Sequence, residues 1–115
     1  MKLAIVILNW NGQKLLETFL PSVVKYADGH PLFVIDNAST DSSVSFLENN
    51  YPSVKCIKLE HNFGYAGGYN AGLKFIDADI YCLLNSDIEV TKNWLNPVLD
   101  TFDSNPNTAI IQPKI

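Results

Sequence analysis

The residues best suited to chemistry are Asn85 and Asp87, which follow five mostly apolar residues at positions 80–84. This pattern predicts a buried parallel strand that delivers polar side chains to its carboxyl end, where open α/β sheets bind ligands. In an extended chain the two side chains face the same way, and their oxygens suit a hard divalent cation already bound to phosphate. The alternative is an Asp that caps a helix from a polar loop, and the pattern leaves both open.

Polar clusters follow three other predicted strands, at residues 9–11, 36–41 and 61–64. If the strands are parallel, all four clusters lie along one edge of the sheet, and such a convergence indicates a binding site. Asp36 comes directly after a buried strand, where it can accept hydrogen bonds from a base N–H or a ribose hydroxyl. The alternative for Asp36 is a bond to its own turn or a cap on the next helix.

Residues 62–72 are rich in glycine and open a predicted helix. They match neither the G-x-G-x-x-G dinucleotide fingerprint, which belongs after the first strand, nor a Walker loop, because no Lys follows the glycines. Glycines at a helix start let a ligand approach the backbone N–H groups. The alternative is that Gly67, Gly68 and Gly72 only allow close helix–sheet packing, and we expect Tyr65 and Tyr69 to pack.

Zinc and covalent-nucleophile sites are not indicated. His30 and His61 lack the spacing of zinc ligands, and no G-x-S-x-G elbow or Cys/His arrangement is present. Cys56 and Cys82 lie in apolar runs and are interpreted as buried thiols in a reducing compartment. The two tryptophans, Trp10 and Trp94, are expected to pack, with Trp10 also a candidate wall of the site.

The elements that must position these residues alternate along the chain. We predict strands at residues 3–8, 32–35, 54–59, 80–84 and 108–111. We predict helices at residues 13–26, 42–50 and 91–102, and a further helix that follows the glycine-rich run and ends at residue 76. Pro21 is expected to kink or split the first helix. Thr40 or Asp41 is expected to cap the second helix, and Thr91 the last. The fold class is therefore α/β, a Rossmann-like open, mostly parallel sheet with helices on both faces and right-handed crossovers.

Composition describes an ordinary single globular domain of 115 residues, 47% hydrophobic and 17% charged. The formal net charge of -4 and the lack of a Lys/Arg cluster argue against a nucleic-acid partner. No apolar run approaches the roughly 18 residues of a membrane helix, and the amino terminus lacks a signal-peptide layout.

Four motifs together resemble the amino-terminal half of family 2 glycosyltransferases of the GT-A fold, particularly the rhamnosyltransferase-like branch. They are Ile-Leu-Asn-Trp-Asn-Gly at 7–12, Val-Ile-Asp-Asn-Ala-Ser-Thr-Asp at 34–41, the glycine-rich run at 62–72, and Leu-Leu-Asn-Ser-Asp at 83–87. Each motif is weak alone, but four in this order are specific, and they cover essentially the whole chain.

The resemblance implies a nucleotide-sugar site. Asn9, Trp10 and Asn11 would wrap the nucleoside, and Asp36 would bind a pyrimidine base. The residues implied to border the ribose and the donor sugar are Asn62, Gly64, Gly67 and Asn70.

The resemblance also implies a metal-assisted, inverting transfer from a UDP- or dTDP-sugar to a saccharide or lipid-linked acceptor. Residues 85–87 stand where the family has Asp-x-Asp, with Asp87 expected to anchor Mg²⁺ or Mn²⁺ through the diphosphate. Asn85 replaces the first Asp and lowers the local negative charge. The expected location is the cytoplasm, with the inner face of the membrane as an option.

The family's catalytic base lies well beyond the Asp-x-Asp strand, so we expect it beyond Ile115. Asp100 and Asp103 are interpreted as surface residues. We therefore expect the chain to be a fragment, residues 1–115 being the nucleotide-sugar-binding portion without the acceptor-binding half. Alone it is expected to bind nucleotide-sugar poorly and to show negligible turnover. An uncovered last strand and sheet edge predict self-association. The alternatives are a non-catalytic nucleotide-binding or assembly module and a Rossmann-type oxidoreductase domain.

Overall fold

The computed structural model describes residues 2–104, in which strands and helices alternate. The elements in order are β1 (Leu3–Asn9), α1 (Gln13–Lys25), β2 (Leu32–Asp36), α2 (Ser43–Asn50), β3 (Lys55–Lys58), α3 (Gly64–Leu73), β4 (Ile80–Leu84) and α4 (Asn96–Ser104). The predicted fold class is confirmed. The strand expected at residues 108–111 lies outside the described residues. None of the helices in residues 2–104 is long and apolar enough to cross a bilayer.

The four described strands form one parallel sheet in the order β3-β2-β1-β4. Asn9 at the end of β1 is paired with Asp36 at the end of β2, and Ile7 is paired with Leu84 at the end of β4. Because every pairing is parallel, the segments that follow the strands leave from the same edge of the sheet. The predicted convergence of the polar clusters on one edge is therefore confirmed.

The central strand β1 is buried on both faces, as its uninterrupted apolar sequence predicts. Its odd-numbered residues, such as Ile5, pack with Leu16 and Leu20 of α1 and Leu47 of α2. Its even-numbered residues Ala4 and Val6 belong to a second core with Tyr69 of α3. Helices thus cover both faces of the sheet, and α3 covers the second face alone among the described helices.

Two helix predictions need correction. Pro21 does not split the first helix, because α1 continues through it to Lys25, and the alternative of a kink at Pro21 stays a prediction. Pro21 is exposed, so the carbonyl that loses its amide partner lies on the hydrated side of the helix. The fourth helix begins at Asn96 rather than at a Thr91 cap, since Asn93 has a φ of +64°, which a helix does not accept.

The strand β4 was predicted to be buried, and only alternate residues are. Ile80, Cys82 and Leu84 are buried, whereas Tyr81 and Leu83 are 39% and 44% exposed. The reason is the strand order, because β4 is an edge strand of the described sheet and α3 leaves its second face partly uncovered. The lysines that open and close β3 are exposed.

Candidate functional site

The floor of the candidate site is a buried hydrogen-bonded group at the ends of β1 and β2. Asn9 and Asp36 are 1% and 3% exposed. Asn9 Nδ2 donates to Asp36 Oδ1 at 3.0 Å and to Ser39 Oγ at 3.3 Å. Ser39 Oγ donates to Asp36 Oδ1 at 2.7 Å, and the Ser39 N–H donates to Asp36 Oδ2 at 3.0 Å. Asp36 therefore bonds its own turn, which was the alternative to a ligand role.

Two acceptor positions remain in this group. Asp36 Oδ1 accepts two of the hydrogen bonds just described and Oδ2 accepts one, whereas a carboxylate has about four acceptor positions. Asn9 Oδ1 is buried with no hydrogen-bond partner among the described residues. It lies against Gly12, where an added Cβ would be 2.6 Å from it. The free acceptor position on the Asp36 carboxylate suits a ligand that carries an N–H or O–H donor.

A second set of contacts joins the loop after β1 to the loop after β2. Asn11, with a φ of +50°, accepts hydrogen bonds on Oδ1 from the N–H groups of Thr40 and Asp41 at 2.7 and 3.2 Å. The Asp41 carboxylate accepts from the N–H of Gln13, at the start of α1, and from the N–H and hydroxyl of Ser43, at the start of α2. The N-cap position of α2 is occupied by Ser42, not by the predicted Thr40 or Asp41, and Ser42 makes no side-chain cap bond. Asp41 instead accepts from the first N–H group of each helix.

Asp41 carries a perturbed carboxyl. Burial raises its pKa, but the hydrogen bonds from Ser43 and Gln13 to the charged form outweigh that effect, so the pKa lies below its ordinary value. The hydrogen bonds at both helix starts therefore favour the ionised form of Asp41. Its contacts indicate a role in setting the shape of the site rather than in chemistry.

The start of α3 is joined to the sheet by Asn37, a residue that the sequence analysis did not single out. Asn37 is 2% exposed, and its amide contacts Asn62, Phe63 and Gly64. The predicted glycine-rich helix is confirmed, with Gly64 at a φ of +79°. The only signal for Asn37 was its place beside Asp36.

The glycines of α3 divide into packing and exposed positions. Gly68 and Gly72 are buried against the sheet, and a Cβ on Gly72 would overlap the Ile35 side chain. Close packing is therefore confirmed for these two. Gly64 and Asn70 are exposed and Gly67 is half-buried, so these three can border a ligand.

The fourth cluster, after β4, is linked to α3 by a tyrosine. The Tyr65 hydroxyl donates to Asn85 Oδ1 at 3.4 Å, and the Tyr65 ring meets the Tyr69 ring edge-on. Tyr69 is buried, as predicted, but Tyr65 is 67% exposed and Trp10 is 56% exposed, so the packing predictions for these two were wrong. Both rings are held at the ends of elements that border the site, where an exposed aromatic surface suits a planar or apolar part of a ligand.

The predicted metal ligand Asp87 is exposed. No group of three or more His, Cys, Asp or Glu residues that could hold a metal ion occurs within residues 2–104. One carboxylate alone does not fit a tight all-protein site, but Mg²⁺ is commonly bound by one or two carboxylates together with substrate phosphates. The residues present therefore fit a cation that arrives with a phosphorylated ligand.

The remaining predictions concern residues away from this edge. Cys56 and Cys82 are free thiols, and burial raises the pKa of each to about 11. Cys82 is buried as predicted, whereas Cys56 is only half-buried. Trp94 packs as predicted, and its Nε1 donates to the Tyr26 carbonyl at 2.9 Å. Asp100 is exposed, as predicted for a surface residue.

Comparison with known sequences identifies one family. A family model described as Glycosyl transferase family 2 matches residues 4–114. Among curated proteins, N-acetylgalactosaminyltransferase 6 of Drosophila melanogaster is 27% identical over 66 residues, which are 57% of this chain and 10% of that protein. The chain therefore spans about a tenth of the length of this relative.

Comparison with solved structures shows the same arrangement of elements. S. aureus TarS 1–349 in complex with UDP-GlcNAc has a TM-score of 0.77 at 21% identity, covering 97% of this chain and 37% of that one. A longer TarS structure has a TM-score of 0.75 at 24% identity, covering 90% and 20%. The mannosyltransferase PcManGT from Pyrobaculum calidifontis, in complex with GDP-Man and Mn²⁺, has a TM-score of 0.68 at 20% identity, covering 76% and 28%.

Proposed function

Because the chain belongs to glycosyl transferase family 2 and has the GT-A fold, we propose that it is the nucleotide-sugar-binding part of a glycosyltransferase. The proposed reaction is metal-assisted, inverting transfer of a sugar from a UDP- or dTDP-sugar to a saccharide or lipid-linked acceptor, in the building of cell-surface polysaccharide. The observation that supports it most is the buried Asn9–Asp36 pair with acceptor capacity left over, at the edge where all four polar clusters meet.

The base of the nucleotide is proposed to bind at Asp36. The free acceptor position on Oδ2 suits the ring N–H of uracil or thymine. Asn11 and the exposed ring of Trp10 then flank the nucleoside. Both pyrimidines carry this ring N–H, which is why the nucleotide is proposed as UDP or dTDP.

The ribose, diphosphate and donor sugar are proposed to lie between α3 and the segment after β4. The residues proposed to border them are Asn62, Gly64, Gly67, Asn70 and Asn85. The N-terminal turn of α3 favours an anion through its N–H groups and helix dipole. Asp87 would hold Mg²⁺ or Mn²⁺ together with the diphosphate, where the cation stabilises the negative charge of the leaving group.

The acceptor half and the catalytic base are proposed to lie outside these residues. The chain spans between 20% and 39% of the length of the TarS structures it matches. A carboxylate base is proposed to take the proton of the acceptor hydroxyl as the new bond forms. We accordingly expect negligible release of UDP when these 115 residues alone are given UDP-sugars and a panel of saccharide acceptors.

Nucleotide titration followed by amide NMR tests the proposed donor site. The titrations use a buffer that contains Mg²⁺ and no Mn²⁺. UDP and dTDP should change the amide chemical shifts of residues 9–12, 36–41, 62–70 and 85–87, whereas ADP should not. Shifts scattered elsewhere, or equal shifts with ADP, contradict a pyrimidine site at this edge. The alternative is the non-catalytic nucleotide-binding module. UDP binding without sugar transfer by a longer protein that contains this chain would support that alternative.

A further inference from the structure

Asn37 occupies an unusual place for a polar side chain, since it is 2% exposed yet makes three side-chain hydrogen bonds to one short segment. Its Nδ2 donates to Asn62 Oδ1 at 3.0 Å and to the Gly64 carbonyl at 3.0 Å. Its Oδ1 accepts from the Phe63 N–H at 3.0 Å. The side chain therefore holds the three residues from which α3 begins.

The orientation of this amide is determined by backbone groups. The Phe63 N–H is only a donor and the Gly64 carbonyl is only an acceptor, so Oδ1 must face the first and Nδ2 the second. A carboxylate at this position keeps the bond to Phe63 but places an acceptor against the Gly64 carbonyl. Asn37→Asp should therefore break the bond to the Gly64 carbonyl while it keeps the bond to the Phe63 N–H.

Asn37 is also tied to the other half of the site. Its backbone N–H donates to the Asn9 carbonyl at 2.8 Å, next to the Asn9–Asp36 pair. On its other side α3 approaches so closely that a Cβ on Gly68 would be 2.9 Å from Asn37 Nδ2. One buried residue therefore lies between the floor of the site and the start of α3.

On the basis of the function proposed above, we propose that Asn37 is a positioning residue for donor binding. Its amide sets the first turn of α3, which borders the sugar and diphosphate, relative to Asn9 and Asp36, which border the base. Asn37 does not contact the ligand, because each end of its amide is occupied by a protein partner. Loss of the amide should weaken binding of the sugar diphosphate part of the donor and leave recognition of the base nearly intact.

The test compares the affinities of uridine and UDP-GlcNAc for the wild-type chain, Asn37→Asp and Asn37→Ala. UDP-GlcNAc affinity should fall about tenfold or more, as expected when buried hydrogen-bonding groups lose their partners. Uridine affinity should stay within about twofold, since the contacts at Asp36 are retained. Asn50→Asp is the matched control, because Asn50 is exposed and its Nδ2 donates to a single carbonyl, that of Phe46.

A purely structural role predicts equal weakening of both ligands, and this result, or unchanged affinity for both, overturns the assignment of Asn37. If the wild-type chain binds neither ligand, the proposed donor site itself is wrong. Should the Asn37 variants fail to fold, Gly68→Ala is the second test. Its Cβ would be 2.9 Å from both Asn37 Nδ2 and Leu8 Cδ1, so it crowds the same amide and must reproduce the selective loss. Equal affinities of Gly68→Ala and wild type for UDP-GlcNAc then overturn the proposal.

Discussion

Asn9 and Asp36 are paired in the backbone register of β1 and β2, and their side chains also form a hydrogen bond, from Asn9 Nδ2 to Asp36 Oδ1 at 3.0 Å. The parallel register places the two residues side by side where their strands end, so the side chains meet without any help from the loops. The turn after β2 then completes the group by bringing Ser39 to the same carboxylate.

Asp36→Asn should destabilise the fold by about 1–3 kcal/mol, the usual cost of leaving a buried polar group without a partner. Either orientation of the new amide sets an N–H group against one of the three donors that Asp36 accepts. Urea unfolding measures the loss. Asp77→Asn, at an exposed position, is the control and should leave the midpoint unchanged; equal midpoints for the two variants contradict the buried network.

Asp41 should make stability depend on pH in the acidic range. Its pKa is lower in the folded chain than in the unfolded chain, so its contribution is complete above the unfolded value of about 3.9 and is lost as the pH falls through the folded value. The difference in unfolding free energy between wild type and Asp41→Asn should therefore shrink below about pH 4. If this difference instead grows as the pH falls, the pKa of Asp41 is not lowered by folding and the prediction is wrong.

Gly72→Ala should destabilise the fold although alanine favours helices. The new Cβ would be 2.6 Å from Cγ1 and Cγ2 of Ile35, which is fully buried and cannot move aside. Overpacking costs about 1–3 kcal/mol, against a gain of about 1 kcal/mol in helix propensity. Thermal unfolding of Gly72→Ala with and without Ile35→Val tests this, since valine lacks Cδ1, the Ile35 atom nearest to the new Cβ, and should restore part of the loss.

Metal binding should require the nucleotide. One exposed carboxylate, Asp87, offers too few ligands without diphosphate oxygens. Mn²⁺ relaxation measurements should show weak binding to the chain alone and tighter binding with UDP present. Asp87→Ala should abolish the enhancement, and Asn85→Asp should strengthen it by adding a second carboxylate. Tight Mn²⁺ binding without UDP would be contrary to this prediction.

Self-association should depend on the exposed face of β4. Tyr81 and Leu83 present apolar surface on an edge strand of the described sheet, and such edges pair with other chains. Leu83→Lys should shift light-scattering masses toward the monomer at high concentration. The exposed Lys74→Gln is a control that should not. A strict monomer for the wild-type chain contradicts the predicted self-association.

The sequence by itself predicted the alternation of elements, the burial of β1 and β2 and the positions of the polar clusters. These features are local, because continuous apolar runs and the polar residues that end them follow from strand geometry alone. Asn9, Asp36 and Asp87 were selected as candidate site residues in this way. The four motifs in order also indicated the family, since their spacing is a property of the chain and not of its folding.

Only the tertiary structure decided which neighbours these residues have. The order of the four described strands places β4 at an edge of the described sheet, where Tyr81 and Leu83 are exposed against the prediction of a buried strand. The bonds of Asn37 reach 25 to 27 residues along the chain, and no local pattern specifies such partners. Hydrogen bonds between separate loops depend on how β1, β2 and α3 pack together, so the geometry of the site is a property of the fold as a whole.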